Sequence, residues 1–299
     1  MNKTGQFIKD HDFPCWCGQS ESRVICGQVF GRRPFLVLEC AGCQTHRILP
    51  KALQTQASAE VMYNEYEPPD LSAPASEQFI NNMWQRFGET QVQFTKGLKV
   101  LDVGCGNGIL LDKICEKFGC IGRGIDVDER RIAKARAHSK YADFECGLFE
   151  GTKVREKYDV VVSSAVIEHV VDPVGFLKQL NMALPDDGTL FLLTPNARSL
   201  TYRLLRSWWR DLLSIGEHIY LFTPKSLELC AQRAGFKLVK TSFGIDKFSP
   251  KIRVNGFRDA LITFWTVYRE MVKRVSSRFA FATTHDILYA HFKKVGSGA

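Results

Sequence analysis

Three groups of residues have the types and spacing to do chemistry. The first is a glycine triplet, Gly104, Gly106 and Gly108 in VLDVGCGNG, preceded by Asp102 and followed, twenty-two residues past Gly104, by Asp126 in GIDVDE. Lys99 to Val103 is a β-branched and leucine run, and Ile109, Leu110, Leu111, Ile114 and Phe118 recur at helical spacing. The glycines therefore make a tight turn between a strand and a helix. An acid that ends the next apolar run stands where a β-α-β unit holds the ribose hydroxyls of an adenosine-containing cofactor. The triplet is G-x-G-x-G: Ile109 occupies the place of the third glycine of the dinucleotide fingerprint, which disfavours NAD. No Gly-Lys-Ser/Thr follows, so a triphosphate would lack its lysine and its magnesium hydroxyl.

The second group is cysteine. Five of the ten cysteines fall in the first 43 residues, with Cys15 and Cys17 in PCWCGQ and Cys40 and Cys43 in ECAGCQTH. Two such pairs, separated by a strand-rich stretch, can wrap one tetrahedral Zn²⁺ and hold together a module too small to build much core. The first pair is C-x-C because Pro14 sits where the commoner C-x-x-C has its cysteine, which leaves Cys26, His11 or His46 as substitute ligands, and a pocket of buried free thiols as the alternative to a metal. Four thiolates would leave no open coordination position, so such a zinc is structural. The third group is His169 in SSAVIEHVVDP and His218 in IGEHIYLFTP. Either imidazole could remove a proton near neutral pH, or simply fix a loop by hydrogen bonding.

VLDVGCGNG followed by GIDVDE resembles the first two motifs of the class I S-adenosylmethionine (SAM) dependent methyltransferases. The resemblance implies that the turn through Asp102, Gly104, Cys105, Gly106 and Gly108 lies against the methionine part of SAM. It implies further that Asp126, with Val127 beside it, binds the ribose, that Gly147 and Leu148 flank the adenine, and that Ser164 borders the cofactor. VIEHVVDP is similar to the corresponding segment of ubiquinone-biosynthesis and saccharide or natural-product tailoring methyltransferases. Ubiquinone-type relatives carry another glutamate three positions before the Glu-His pair, where this chain has Ala165, an argument against a catalytic Mg²⁺. No Asn/Asp-Pro-Pro-Tyr follows the fourth strand, which closes the route to planar amide or amine acceptors by that motif. The implied reaction is direct in-line methyl transfer, most simply to an oxygen of a small-molecule or saccharide-type acceptor.

The elements that must position these residues follow from periodicity. The spacing predicts strands over 99–103, 120–125, 141–146, 158–163, 188–194, 236–241 and 287–294, alternating with helices. Asp172 with Pro173, and Thr223 with Pro224, read as N-caps followed by first-turn prolines, and Gly235 ends the helix KSLELCAQRA. Such alternation demands an α/β, doubly wound, seven-stranded and mostly parallel sheet with helices on both faces. The division expected is a cysteine-rich module at 1–56, a helical connector at 57–96, the catalytic domain at 97–245, an amphipathic helical insertion at 246–285, and the last strand and tail at 286–299. In the connector, Met62, Tyr63 and Tyr66 form one apolar edge and Phe79, Met83, Trp84 and Phe87 another.

The 299 residues carry a net charge of +8, and residues 246–278 contribute eight basic against three acidic side chains. Phe257, Leu261, Phe264, Trp265, Tyr268, Met271, Val272 and Val275 recur there at three- and four-residue steps. This helix could pack on the core, form a homodimer or partner surface, or touch an anionic, lipid-linked acceptor or a membrane surface. LTYRLLRSWWRDLLSI, from Leu200 to Ile215, reads as an acceptor-side lid. No apolar run approaches the roughly 20 residues needed to span a bilayer, and MNKTGQFIKDHDF has no secretory h-region. A cytoplasmic location and thiols rather than disulfides are therefore expected. Two other readings are an RNA methyltransferase using the zinc module and basic flanks, and a SAM-binding module without turnover. The aromatic and basic residues follow amphipathic periodicity rather than an open stacking platform, which counts against RNA.

Overall fold

The computed structural model describes residues 5–9, 14–30, 33–49, 73–205, 218–244 and 286–296. The chain opens with β1 (Phe7–Lys9), β2 (Glu21–Phe30), β3 (Arg33–Cys40) and β4 (His46–Leu49). Then come α1 (Ala73–Thr90), β5 (Lys99–Val103), α2 (Ile109–Phe118), β6 (Ile121–Asp126), α3 (Glu129–His138), β7 (Ala142–Cys146) and β8 (Val160–Ser164). The remaining elements are a 3₁₀ turn (Ile167–His169), α4 (Pro173–Ala183), β9 (Thr189–Pro195), α5 (Leu200–Leu205), β10 (Tyr220–Leu221), α6 (Pro224–Arg233), β11 (Phe236–Gly244) and β12 (Ile287–Lys294).

The larger sheet has the order β11-β12-β9-β8-β5-β6-β7. Its pairings β5–β6, β5–β8, β6–β7 and β8–β9 are parallel, and β12 runs antiparallel between β9 and β11. The central strands β5, β8 and β9 are buried on both faces because both are covered. Leu101, Val161, Leu190 and Leu192 join a cluster with Leu177, Leu180, Leu227 and Phe236, while Val100, Val160, Val162 and Phe191 join the opposite one with Met83, Leu111, Ile114 and Ile132. Neighbouring residues of a strand thus serve different layers, as the period-two pleat requires. Of the α1 edge, Met83 and Phe87 are buried, and Phe79 and Trp84 pack against the same layer. Met62, Tyr63, Tyr66, His11, residues 206–215 of the expected lid and the insertion at 246–285 lie outside the described residues.

The strand order reverses at β5, which has β6 on one side and β8 on the other, so the carboxyl ends of β5 and β8 frame the switch-point crevice. Local chemistry starts the helices beside it. Asp172 accepts a hydrogen bond from Gly175 N–H at 2.9 Å, and Asp128 caps α3 by accepting from Arg130 N–H at 2.9 Å.

The smaller sheet, β1-β2-β3-β4-β10, departs from a self-contained module. Its edge strand β10 comes from residues 220–221, with Tyr220 opposite Arg47 and Leu221 opposite His46. β4 presents an edge that the sequence pattern leaves unassigned, and β10, too short to read as a strand by itself, covers it. Ile25, Phe35, Val37 and Ile48 bury with Leu221 and with Ala197 and Tyr202, so the small sheet shares a core cluster with the segment that follows β9.

The capping box that starts α6 fixes the chain leaving β10. Thr223 Oγ1 accepts from Ser226 N–H at 3.1 Å and Ser226 Oγ accepts from Thr223 N–H at 2.9 Å, both residues being buried. Thr223→Ala should lower the unfolding free energy by about 1–2 kcal/mol in urea denaturation, whereas Thr223→Ser should stay close to the parent.

Candidate functional site

The chain leaves β5 through three glycines at φ +79, +57 and +75 for Gly104, Gly106 and Gly108. Two of them are closed in by neighbours: a Cβ at 104 would lie 2.2 Å from Val166 Cγ2, and one at 108 would lie 2.4 Å from the Phe144 ring. At Gly106 the nearest atom to such a Cβ is Arg131 Nη1 at 3.9 Å, which leaves the backbone open to a ligand. Gly106 N–H donates to one Asp126 carboxylate oxygen at 2.8 Å, and Asp128 N–H donates to the other at 2.9 Å. The acid that ends β6 therefore holds the loop that follows β5.

Beneath the loop, Asp102 is buried, and its Oδ1 has no hydrogen-bond partner among the described residues. Burial, reinforced by the nearby charge of Asp126, pushes the Asp102 carboxyl up to about 7. An ammonium brought to this loop would meet an unpaired carboxylate. Gly147 N–H donates to Asp126 O at 2.9 Å, which sets the chain after β7 beside the chain after β6. There Val127 is 50% exposed and Leu148 is 66% exposed, apolar surface suited to a planar ring. The Cys105 thiol is buried and sits over Gly124, where a Cβ would be 2.8 Å from its sulfur, and it donates to Gly106 O at 3.8 Å, so it braces the loop from beneath. Ser164 is half-buried at the end of β8. These residues are of the kinds that fit a nucleoside joined to an amino acid: an open loop backbone, a carboxylate at the end of β6 and a buried carboxyl beneath the loop.

Across the loop, the chain after β8 passes Ala165, at φ +55, and Val166 into the 3₁₀ turn. Glu168 is fully buried and accepts from Thr194 Oγ1 at 2.9 Å. The His169 and His218 rings have centroids 4.8 Å apart at 50°. Ile219 N–H donates to Glu168 O at 2.7 Å and Ile48 N–H donates to Ile219 O at 3.1 Å, so the small sheet, β10 and the turn are hydrogen-bonded in series. Glu168 and its Thr194 partner were not singled out in the sequence; the signal available was the acid directly before His169.

None of the ten cysteines forms a disulfide. Cys15, Cys17, Cys40 and Cys43 come together with their sulfurs within 4.8 Å of one another. Cys15 and Cys43 sulfurs lie 3.5 Å apart, as do those of Cys17 and Cys40. A tetrahedral ion with metal–sulfur bonds of about 2.3 Å needs sulfurs about 3.8 Å apart, so the set fits Zn²⁺. Contact with Cys40 and Cys43, then burial, pushes the Cys15 thiol far up. Of the substitutes, Cys26 packs with Ile25 and Phe35, and His46 Nδ1 pairs with Tyr202 Oη at 2.7 Å. Arg233, at the end of α6, donates to Trp16 O and Cys17 O at 3.4 and 3.3 Å, which fastens the first cysteine turn to the large domain.

A family described as a methyltransferase domain matches residues 64–241, more than half of the chain. The chain belongs to the class I S-adenosylmethionine-dependent methyltransferase family. Among relatives of this methyltransferase domain, a ubiquinone biosynthesis O-methyltransferase of Coxiella burnetii is 30% identical over 195 residues, covering 62% of this chain and 82% of the relative. One from Bradyrhizobium diazoefficiens is 34% identical over 135 residues, 43% of this chain. The chain spans 49% of that relative's length and 46% of the length of one from Pelagibacter ubique, about half in each case. Two solved structures share the fold. A complex between the Haloferax volcanii Trm112 methyltransferase activator and a methyltransferase matches with a TM-score of 0.53 and 16% identity, covering 75% of this chain and 96% of that one. The plantazolicin methyltransferase BamL matches at 0.50 and 16%, covering 82% and 94%. No helix among the described residues is long and apolar enough to cross a membrane.

Asp102 gives this methyltransferase domain a pH signature. Its folded pKa of about 7 lies above the ordinary 3.8, so its contribution to stability is full below pH 4 and is lost as the pH rises through 7. Asp102→Asn, compared with the parent by urea denaturation, should become relatively more stable by about 2–3 kcal/mol between pH 5 and pH 8.

Proposed function

We propose that this chain methylates an oxygen of a small-molecule or saccharide-type acceptor, with SAM as donor, by direct in-line transfer. The observation that carries the reading is the loop pinned to Asp126 on one side of Val166 with Glu168, His169 and His218 on the other. SAM supplies a methyl group already activated on a sulfonium sulfur, so the chain's task is alignment and activation of the acceptor. The loop backbone and Asp126 hold the nucleoside and amino acid, Val127 and Leu148 flank the ring, and Asp102 faces the ammonium. Exposed Val127 and Leu148 also shield that face from water once covered. The acceptor hydroxyl must lose its proton as its oxygen takes the methyl group, and the His169–His218 pair is placed to activate it. The relatives' name, O-methyltransferase, supports oxygen as the acceptor atom. The four clustered thiols are read as a structural zinc site, with Cys15, Cys17, Cys40 and Cys43 as ligands and no position left for chemistry.

Calorimetry with S-adenosylhomocysteine should show Asp126→Ala binding about 10- to 100-fold more weakly than the parent, the range expected for losing hydrogen bonds to a charged group. Unchanged affinity would remove the cofactor assignment. Incubating the chain with methyl-labelled SAM and fractionated cell extract should place label in a ribonuclease- and protease-resistant small-molecule fraction. Label in RNA would overturn the acceptor class. His169→Ala and His218→Ala should retain S-adenosylhomocysteine binding while slowing labelling of that fraction by about 10²–10⁴-fold. Purified chain should carry one zinc, and Cys43→Ser should release it together with the order of the small sheet.

A further inference from the structure

We infer that Glu168, His169 and His218 form a metal site separate from the thiol cluster, one that takes a first-row divalent ion such as Mn²⁺, Fe²⁺, Co²⁺ or Zn²⁺ and leaves coordination positions for an acceptor oxygen. The inference deepens the proposed function and rests on it for the acceptor. Its first support is proximity: the carboxylate oxygen and the two ring nitrogens all lie within 4.8 Å of one another, close enough to share one ion.

The second support is that the donors are held in place before any ion arrives. Glu168 is fully buried, and one of its oxygens is oriented by the Thr194 hydroxyl at 2.9 Å, as outer-shell hydrogen bonds orient metal-binding carboxylates. His169 N–H donates to Val166 O at 2.9 Å, closing the turn that carries both residues. His218, forty-nine residues further along, is tied to that turn through the adjacent Ile219, whose N–H donates to Glu168 O at 2.7 Å. The third support is location. The turn begins at Val166, whose methyl fills the space over Gly104, so the turn that carries Glu168 and His169 starts against the glycine loop.

The donor set selects the ion. Two imidazoles and one carboxylate are the ligands of sites that leave open positions on divalent transition metals, whereas Mg²⁺ prefers oxygen alone. Here the pattern departs from the ubiquinone-type sequences named above. Ala165 replaces their additional glutamate, is exposed, and stands at φ +55, while His218 brings nitrogen from a different strand end. A hydroxyl or hydroxyl-carbonyl pair on the acceptor is the chemistry that would fill the open positions. The two histidines would then activate the acceptor by holding the ion rather than by acting as free bases.

The test uses the full chain with its thiol cluster filled with zinc, titrated with Co²⁺ and followed by absorption and metal analysis. The expected result is one added Co²⁺ per chain, with a spectrum lacking the intense sulfur-to-metal charge transfer of thiolate sites. His218→Ala, at a half-buried position, should weaken that uptake at least 10-fold while leaving zinc content and S-adenosylhomocysteine affinity at parental values. Glu168→Gln should do the same if it folds, and His169→Ala provides the independent second variant. Co²⁺ uptake that survives both histidine substitutions, a thiolate spectrum, or no uptake by a parent that binds S-adenosylhomocysteine would overturn the inference. A parent that fails to bind S-adenosylhomocysteine yet takes up Co²⁺ in a His218-dependent way would overturn the cofactor reading and leave the metal site standing.

Discussion

The hydrogen bond from Gly106 N–H to the Asp126 carboxylate joins the loop after β5 to the end of β6, and the rest of the candidate site is built against it. A loop with three residues at positive φ has many alternatives in an isolated chain. Here it is clamped by Val166 above Gly104, by the Phe144 ring beside Gly108, and by a carboxylate whose second oxygen is also occupied. The clamp holds Asp102 in the dry layer beneath, where burial keeps its carboxyl partly protonated near neutrality. A cation brought beside that carboxyl would offset the cost of ionising it.

The same logic of one element seated on another links the two sheets. β4 emerges from the second cysteine turn, pairs with β10, and through Ile48 and Ile219 reaches the backbone of Glu168. His46 pairs with Tyr202 of α5, and the hydrogen bond between His46 and Glu39, helped by Arg23, draws the Glu39 carboxyl down to about 2 against the opposing effect of burial. Arg233 grips the first cysteine turn from α6, and its guanidinium lies 5.4 Å from the centre of the Trp16 ring. The cysteine module is therefore joined to the turn after β8 by a continuous run of backbone hydrogen bonds, from β4 through Ile219, the neighbour of His218, to Glu168.

Much of the large domain was legible in the sequence because its signals are local. The glycine triplet, the caps at Asp172 and Thr223, and the stop at Gly235 are short-range chemistry, and each appears where its residues stand. Strand positions followed from apolar runs, β5 and β12 at both ends and the others with ends displaced by at most three residues, as for β8 at Val160–Ser164 against an expected 158–163. Fraying ends are set by pairing with neighbours, which a run of side chains does not encode.

What the sequence by itself determined is the set of candidates: a cofactor loop with its acid, five early cysteines, two histidines and a seven-stranded alternation. The tertiary structure decided which of them meet. It chose Cys15, Cys17, Cys40 and Cys43 over Cys26 and His46, because β2 and β3 fold back antiparallel and bring the two turns to one end. It made two residues at 220–221 into a strand, because β4 had an unpaired edge to satisfy. It placed His218 against His169 and Glu168, although forty-nine residues separate the histidines, because β10 anchors the returning chain beside the switch point. Periodicity and turn chemistry act over a few residues, whereas these meetings depend on the path of the whole chain.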